Sequence, residues 1–79
     1  MPWLHIIWSD ANTAKIEAHG LTLAEVEYVL QHPLATDISR TSGRPIHIGR
    51  THAGRSILVV FEWIDDVTVY PITAYDIKD

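Results

Sequence analysis

The segment from Arg55 to Ile64 constrains the fold more than any other part of the sequence. It holds five consecutive apolar residues, Ile57-Leu58-Val59-Val60-Phe61. A strand with one wet face alternates apolar and polar side chains, whereas an uninterrupted short run of β-branched and aromatic residues fits a strand with material packed on each side. The run is far short of the roughly 20 residues that a membrane-spanning helix needs. It reads as a central strand. In a chain of 79 residues that strand must lie at the middle of a single core, because a domain of this size removes only about 60% of its extended surface from water. Cysteine is absent, so no disulfide supplements the core.

The remaining elements follow from local signals. Leu4 to Trp8 reads as a first strand, and Ser9-Asp10 supplies cap-forming side chains for a helix through Asn12, Lys15, Ile16 and His19. Gly20 ends that helix where a left-handed residue is wanted. Thr22 and Glu25 form a capping box for a second helix, whose apolar face is Leu23, Val26 and Leu30 with Val29 beside them. His32-Pro33 closes it, since the residue before proline avoids the helical region. Strands are expected over Ala35 to Arg40, Pro45 to Thr51, Arg55 to Ile64 and Val67 to Ile77, with turns at Thr41-Ser42-Gly43, His52-Ala53-Gly54 and Asp65-Asp66. The order predicts one α+β domain over residues 1–79, with two N-terminal helices packed on an antiparallel sheet of four to five strands. A hydrophobic content of 47% with 20% charged residues excludes a disordered or collagen-like chain.

Charge narrows the function. Six Lys+Arg against ten Asp+Glu give −4, whereas a protein that lives on nucleic-acid phosphates is usually basic. The cations are unevenly placed, with Arg40, Arg44, Arg50 and Arg55 in the middle and Glu62, Asp65, Asp66, Asp76 and Asp79 after them. The start shows no basic segment ahead of an apolar stretch, so a cytoplasmic protein without a membrane partner is expected. The five histidines show neither a His-Glu-x-x-His nor a finger spacing. No glycine-rich phosphate loop and no serine or cysteine nucleophile motif occurs. No metal and no cofactor is therefore expected, although Asp65-Asp66, Asp76 and Asp79 could hold a hard cation loosely.

Several blocks, taken in order, carry a resemblance. Ile7-Trp8, Ile16 with His19-Gly20, Thr22-x-x-Glu25-Val26, Pro33, Ile48-Gly49-Arg50-Thr51, Gly54-Arg55, Val59-Val60-Phe61 and Pro71-Ile72-Thr73-Ala74 resemble the BrnT-like toxin family over roughly Ile6 to Tyr75. The resemblance implies a RelE-like fold, a metal-independent ribonuclease toxin of a type II toxin-antitoxin system, and a cognate antitoxin encoded beside it. Two positions depart from the family pattern. Tyr75 stands where the family usually carries arginine, and Asp76-Ile77-Lys78-Asp79 stands where it continues into a helix with basic residues.

Metal-free RNA cleavage needs a base, an acid, and cations for the charge on the phosphorus centre. His47, Arg50, His52 and Arg55 fall in one expected hairpin, and Arg50 and Arg55 match the family's arginines. His47 and Arg50 are three apart and so face opposite ways on a regular strand; a bulge at Gly49 would be needed to join them. His47 itself, between Ile46 and Ile48, reads as a solvent-facing strand residue. His19 matches the family's His-Gly and also suits a helix C-terminus, where a cation meets the negative end of the dipole. The candidate catalytic residues are Arg50, Arg55, His52, His19 and Tyr75, with Arg40 and Arg44 as RNA-binding residues. The bland alternative for Arg50 and Arg55 is an ion pair with Glu62 or the Asp65-Asp66 turn.

Two readings follow. One is an RNA-cleaving toxin held by its antitoxin. The other is an inactive toxin relative that acts as a protein-interaction module and keeps a protein partner; a homodimer is a separate partner expectation for the chain. Trp3, Trp8 and Trp63 suit an interface, although Trp8 and Trp63 also sit in phase with core positions. The acidic balance and Tyr75 favour the second reading, whose partner would rely on apolar contacts more than on salt bridges. Four arginines on one face would favour RNA, and scattered arginines would count against it.

Overall fold

A computed structural model describes residues 3–77; Lys78 and Asp79, counted with the late charges above, lie outside them. The elements are β1 (His5–Ile6), α1 (Asp10–Ala18), α2 (Leu23–Gln31), β2 (Ala35–Ile38), β3 (Pro45–Arg50), β4 (Ser56–Trp63) and β5 (Thr68–Asp76). They build an α+β fold, two helices on a five-stranded sheet of order β1-β5-β4-β3-β2. β4 lies at the centre, as its apolar run requires.

One strand pairing differs from expectation. β2 to β5 are antiparallel neighbours, but β1 pairs with β5 in parallel, His5 beside Thr68 and Ile6 beside Val69. Three hairpin reversals between β2 and β5 leave β5 running in the direction of β1. The sheet is therefore mixed rather than antiparallel.

Both helices begin on capping boxes. The Ser9 hydroxyl accepts the Asn12 N–H, and the Asn12 side chain accepts the Ser9 N–H at 2.8 Å. Thr22 and Glu25 repeat the device in α2. Gly20 and Gly54 take φ of 76° and 84°, the left-handed region in which glycine carries no Cβ penalty. Asn12 is buried and also donates to the carbonyls of Ile7 and Pro71, both at 3.0 Å. It thereby ties α1 to both β1's exit and β5.

The two helices lie on the same face. α1 packs on β5, and α2 crosses β3 and β4. Ile57, Val59, Phe61, Val69 and Ala74 from the sheet meet Ile16, Leu21, Val26, Val29 and Leu30. Gly49 gives α2 its close approach, since a Cβ there would stand 3.2 Å from Val29 Cγ1 and 3.3 Å from Cγ2. No bulge occurs at Gly49. The irregularity lies on β5, where Val60 pairs with Thr73 and Phe61 with Pro71, leaving Ile72 without a partner. Pro71 has no N–H to give the ladder, which places the bulge there.

β4 was expected to be covered on both sides, and it is covered on one. Ile57, Val59 and Phe61 are buried, whereas Leu58 and Val60 are only half-buried. Both helices come before β2 to β5 in the chain and occupy one face, so among the described residues no further helix is left to cover the other.

Candidate functional site

The predicted hairpin constellation does not form a site. Cross-strand partners share a face, so the pairs His47–Val59 and Gly49–Ile57 point to the helices, while Ile46–Val60, Ile48–Leu58 and Arg50–Ser56 point to the open side. His47 is not a solvent-facing residue. Its Nδ1 lies 3.2 Å from the Leu30 carbonyl, and its ring stands edge-on to Phe61 at 4.6 Å. Burial lowers its pKa, partly offset by the Leu30 hydrogen bond. The isoleucines on either side of it take the open face instead. His52 leans the other way, against Tyr28 of α2 at 4.4 Å.

Nor do the arginines gather. Arg44 binds Glu62 at 2.8 Å. Arg50 is exposed at the far end of β3, six residues and about 20 Å along the strand. Arg40 is exposed in the turn between β2 and β3. Arg55 is held between two carboxylates, Asp76 at 2.8 Å and Glu25 at 3.6 Å, and donates to the Gly20 carbonyl at 3.3 Å. The Asp76 hydrogen bond raises its pKa further, opposed by burial and aided by the charges of Asp76 and Glu25. Arg55 is a tie between the α1–α2 turn, the start of α2 and the end of β5. The expected ion pairs with Glu62 or the Asp65-Asp66 turn go to Arg44 in the first case and form for neither Arg50 nor Arg55. A continuous basic groove of Arg40, Arg44, Arg50 and Arg55 is absent because they sit at separate ends of the sheet.

Two of the sequence candidates do meet, at the C-terminal end of β5, with Arg55 bound to their chain neighbours. The His19 and Tyr75 rings stand edge to face at 4.9 Å, and Arg55 reaches the neighbours of both, Gly20 and Asp76. The corner opens onto a groove of about 660 Å³ on the uncovered sheet face. Ile46, Leu58, Val60 and Ile72 form its floor. Lys15, His19 and Tyr75 stand at one end, and Arg44 with the hydroxyls of Ser39, Thr41 and Ser42 at the other. β1 is too short to flank this half of β5, so the last turn of α1 wraps the strand's edge and brings Lys15 and His19, one helical turn apart, to the open face.

Sequence reasoning missed Lys15 as a groove residue, although its spacing of four from His19 on a helix was legible. It also missed the groove floor, which was read as core. Among the described residues, no group of histidines and carboxylates is arranged to hold a metal ion, and no helix is long and apolar enough to cross a membrane. Trp63, expected in phase with the core, touches Phe61 at 5.5 Å but remains 49% exposed at the end of the sheet. Compared with protein-family models, curated proteins and solved structures, the chain has no match.

Proposed function

We propose that the chain is a protein-interaction module that docks a partner on its open sheet face, the second of the two readings that the BrnT-like resemblance allows. The observation that carries it is the pair of apolar cross-strand contacts, Ile46–Val60 and Ile48–Leu58, on a face that no helix covers. A sheet normally buries such a face against another layer. The electrostatics agree: the whole chain is at −4, and Arg44 and Arg55 are spent on carboxylates of the same chain.

The ribonuclease-toxin reading retains one specific support. Lys15, His19 and Tyr75 converge on the groove, and a histidine beside a lysine suits proton transfer next to a developing negative charge. Incubation with a mixed-sequence RNA in EDTA separates the two. The module reading expects intact RNA with the wild type and with His19→Ala alike. Cleavage by the wild type that His19→Ala abolishes would overturn it and return the groove to RNA.

A further inference from the structure

Building on the module reading, we propose that the occupant of the open face is a second copy of this chain, stacked face to face about a two-fold axis running along the strands. The groove's two raised rims lie at diagonally opposite corners. His19 and Tyr75 stand over the β5 edge at the level of Leu58, the strand partner of Tyr75. Lys15, one helical turn earlier in an α1 that runs along β5 from Pro71 to Tyr75, lies nearer the level of Thr73 and Val60. The β2–β3 turn with Arg44 stands at the other edge, beyond the level of Phe61. A two-fold axis along the strands carries the β5 edge of one copy over the β2 edge of the other and keeps each residue at its own level. Each raised rim then faces a low corner of its partner, and the floors formed by Ile46, Leu58, Val60 and Ile72 oppose one another at the usual sheet-to-sheet spacing of about 10 Å. A two-fold axis across the strands would instead set β5 over β5 and reverse the levels, taking Lys15 away from the β2 edge and from Asp37.

The same axis aligns charges. Asp37 of β2 pairs across the strand with Ile46 and so belongs to the open face. One carboxylate oxygen accepts the Ile38 N–H at 2.7 Å, and Asp37 has no ion pair among the described residues. β2 and β5 are separated by three strand spacings, about 14 Å, and the rotation exchanges their edges. Lys15 of each copy thus comes over Asp37 of the other. Likewise Arg40, in the β2–β3 turn, comes to the Asp65-Asp66 turn at the same end of the partner's sheet. These four groups form two complementary sets, each made twice. The molecule measures 31 × 27 × 26 Å, so one face supplies on the order of 600 Å² per copy, at the lower end for a specific interface. The dimer is therefore expected to be reversible.

Sedimentation equilibrium from about 1 to about 500 µM, the span in which an interface this small dissociates, reads the outcome. Wild type should pass from monomer to dimer within that range. Val60→Lys should be monomeric throughout, with an unchanged circular dichroism spectrum showing that it folds. Because a lysine there also changes the sheet, the charge reversals carry the test. Lys15→Glu and Asp37→Lys should each weaken the dimer about tenfold, since each turns two attractions into repulsions, and the double variant should recover most of the loss. A wild-type monomer over the whole range overturns the proposal, and so does a dimer indifferent to both reversals. Co-expression with the protein encoded beside it keeps the two claims apart. A heterocomplex lost in Val60→Lys, with a monomer otherwise, overturns the second copy as occupant and leaves the docking face standing. RNA cleavage that depends on His19 removes both.

Discussion

His47 shows how much one side chain's facing can decide. Half-buried against Phe61 and the Leu30 carbonyl, it has a pKa below the ordinary histidine value because burial disfavours the charged ring. The unfolded chain then binds a proton more readily than the folded one. The stability this contributes is full above the ordinary histidine pKa of about 6.5 and is lost as pH falls below it. Urea midpoints at pH 8 and pH 5.5 should differ more in the wild type than in His47→Gln; equal differences would mean that His47 does not titrate in this environment. Asn12 ties the fold together through a single side chain. Its amide serves the Ile7 and Pro71 carbonyls and the Ser9 N–H, so Asn12→Ala leaves three groups without their partner. A loss of about 3 kcal/mol is expected in denaturant unfolding, and a loss under about 1 kcal/mol would contradict the role given to it. The sequence named Asn12 only as a helical residue, since its hydrogen bond to Pro71 spans positions that no local pattern relates. His47 was misread for a related reason. Alternation marks which residues share a face, but not which face the helices choose.

At the scale of elements, nearly every helix and strand was legible. Caps at Ser9 and Thr22, the breaks at Gly20 and Pro33, and the turn at Gly54 are local chemistry, and each lies where the sequence placed it. The direction of β1 relative to β5 was not legible, because pairing between the two ends of the chain depends on the topology between them. Gly49 was named as the place where a bulge would be needed to join His47 and Arg50, and it is a contact point instead. Gly49→Ala should push a methyl into Val29, 3.2 Å away, and cost about 1–3 kcal/mol as overpacking does, measured by the urea midpoint. A neutral effect would mean that α2 shifts freely over β3. Arg55 belongs to this scale as well. Its bonds to Asp76 and Gly20 and its ion pair with Glu25 predict that Arg55→Ala speeds amide exchange in the first turn of α2 and at the end of β5. Unchanged exchange at both would remove its structural role.

Over the whole molecule the same residues give a one-sided protein. The five apolar positions of β4 divide into three that fill the core and two that line an uncovered face. Composition could not separate these, because a residue awaiting a partner and a residue in the core have the same apolar chemistry. The dispersed arginines and the net charge of −4 predict weak RNA binding with a shallow salt dependence, since few phosphates are neutralised, and no saturation in a filter-binding titration at physiological salt. On this reading protein, not RNA, meets the open face. A photo-reactive amino acid at Thr73, in the groove and across from Val60, tests it in living cells. The expected adduct is destroyed by protease and unaffected by ribonuclease; an adduct that ribonuclease removes would contradict the account.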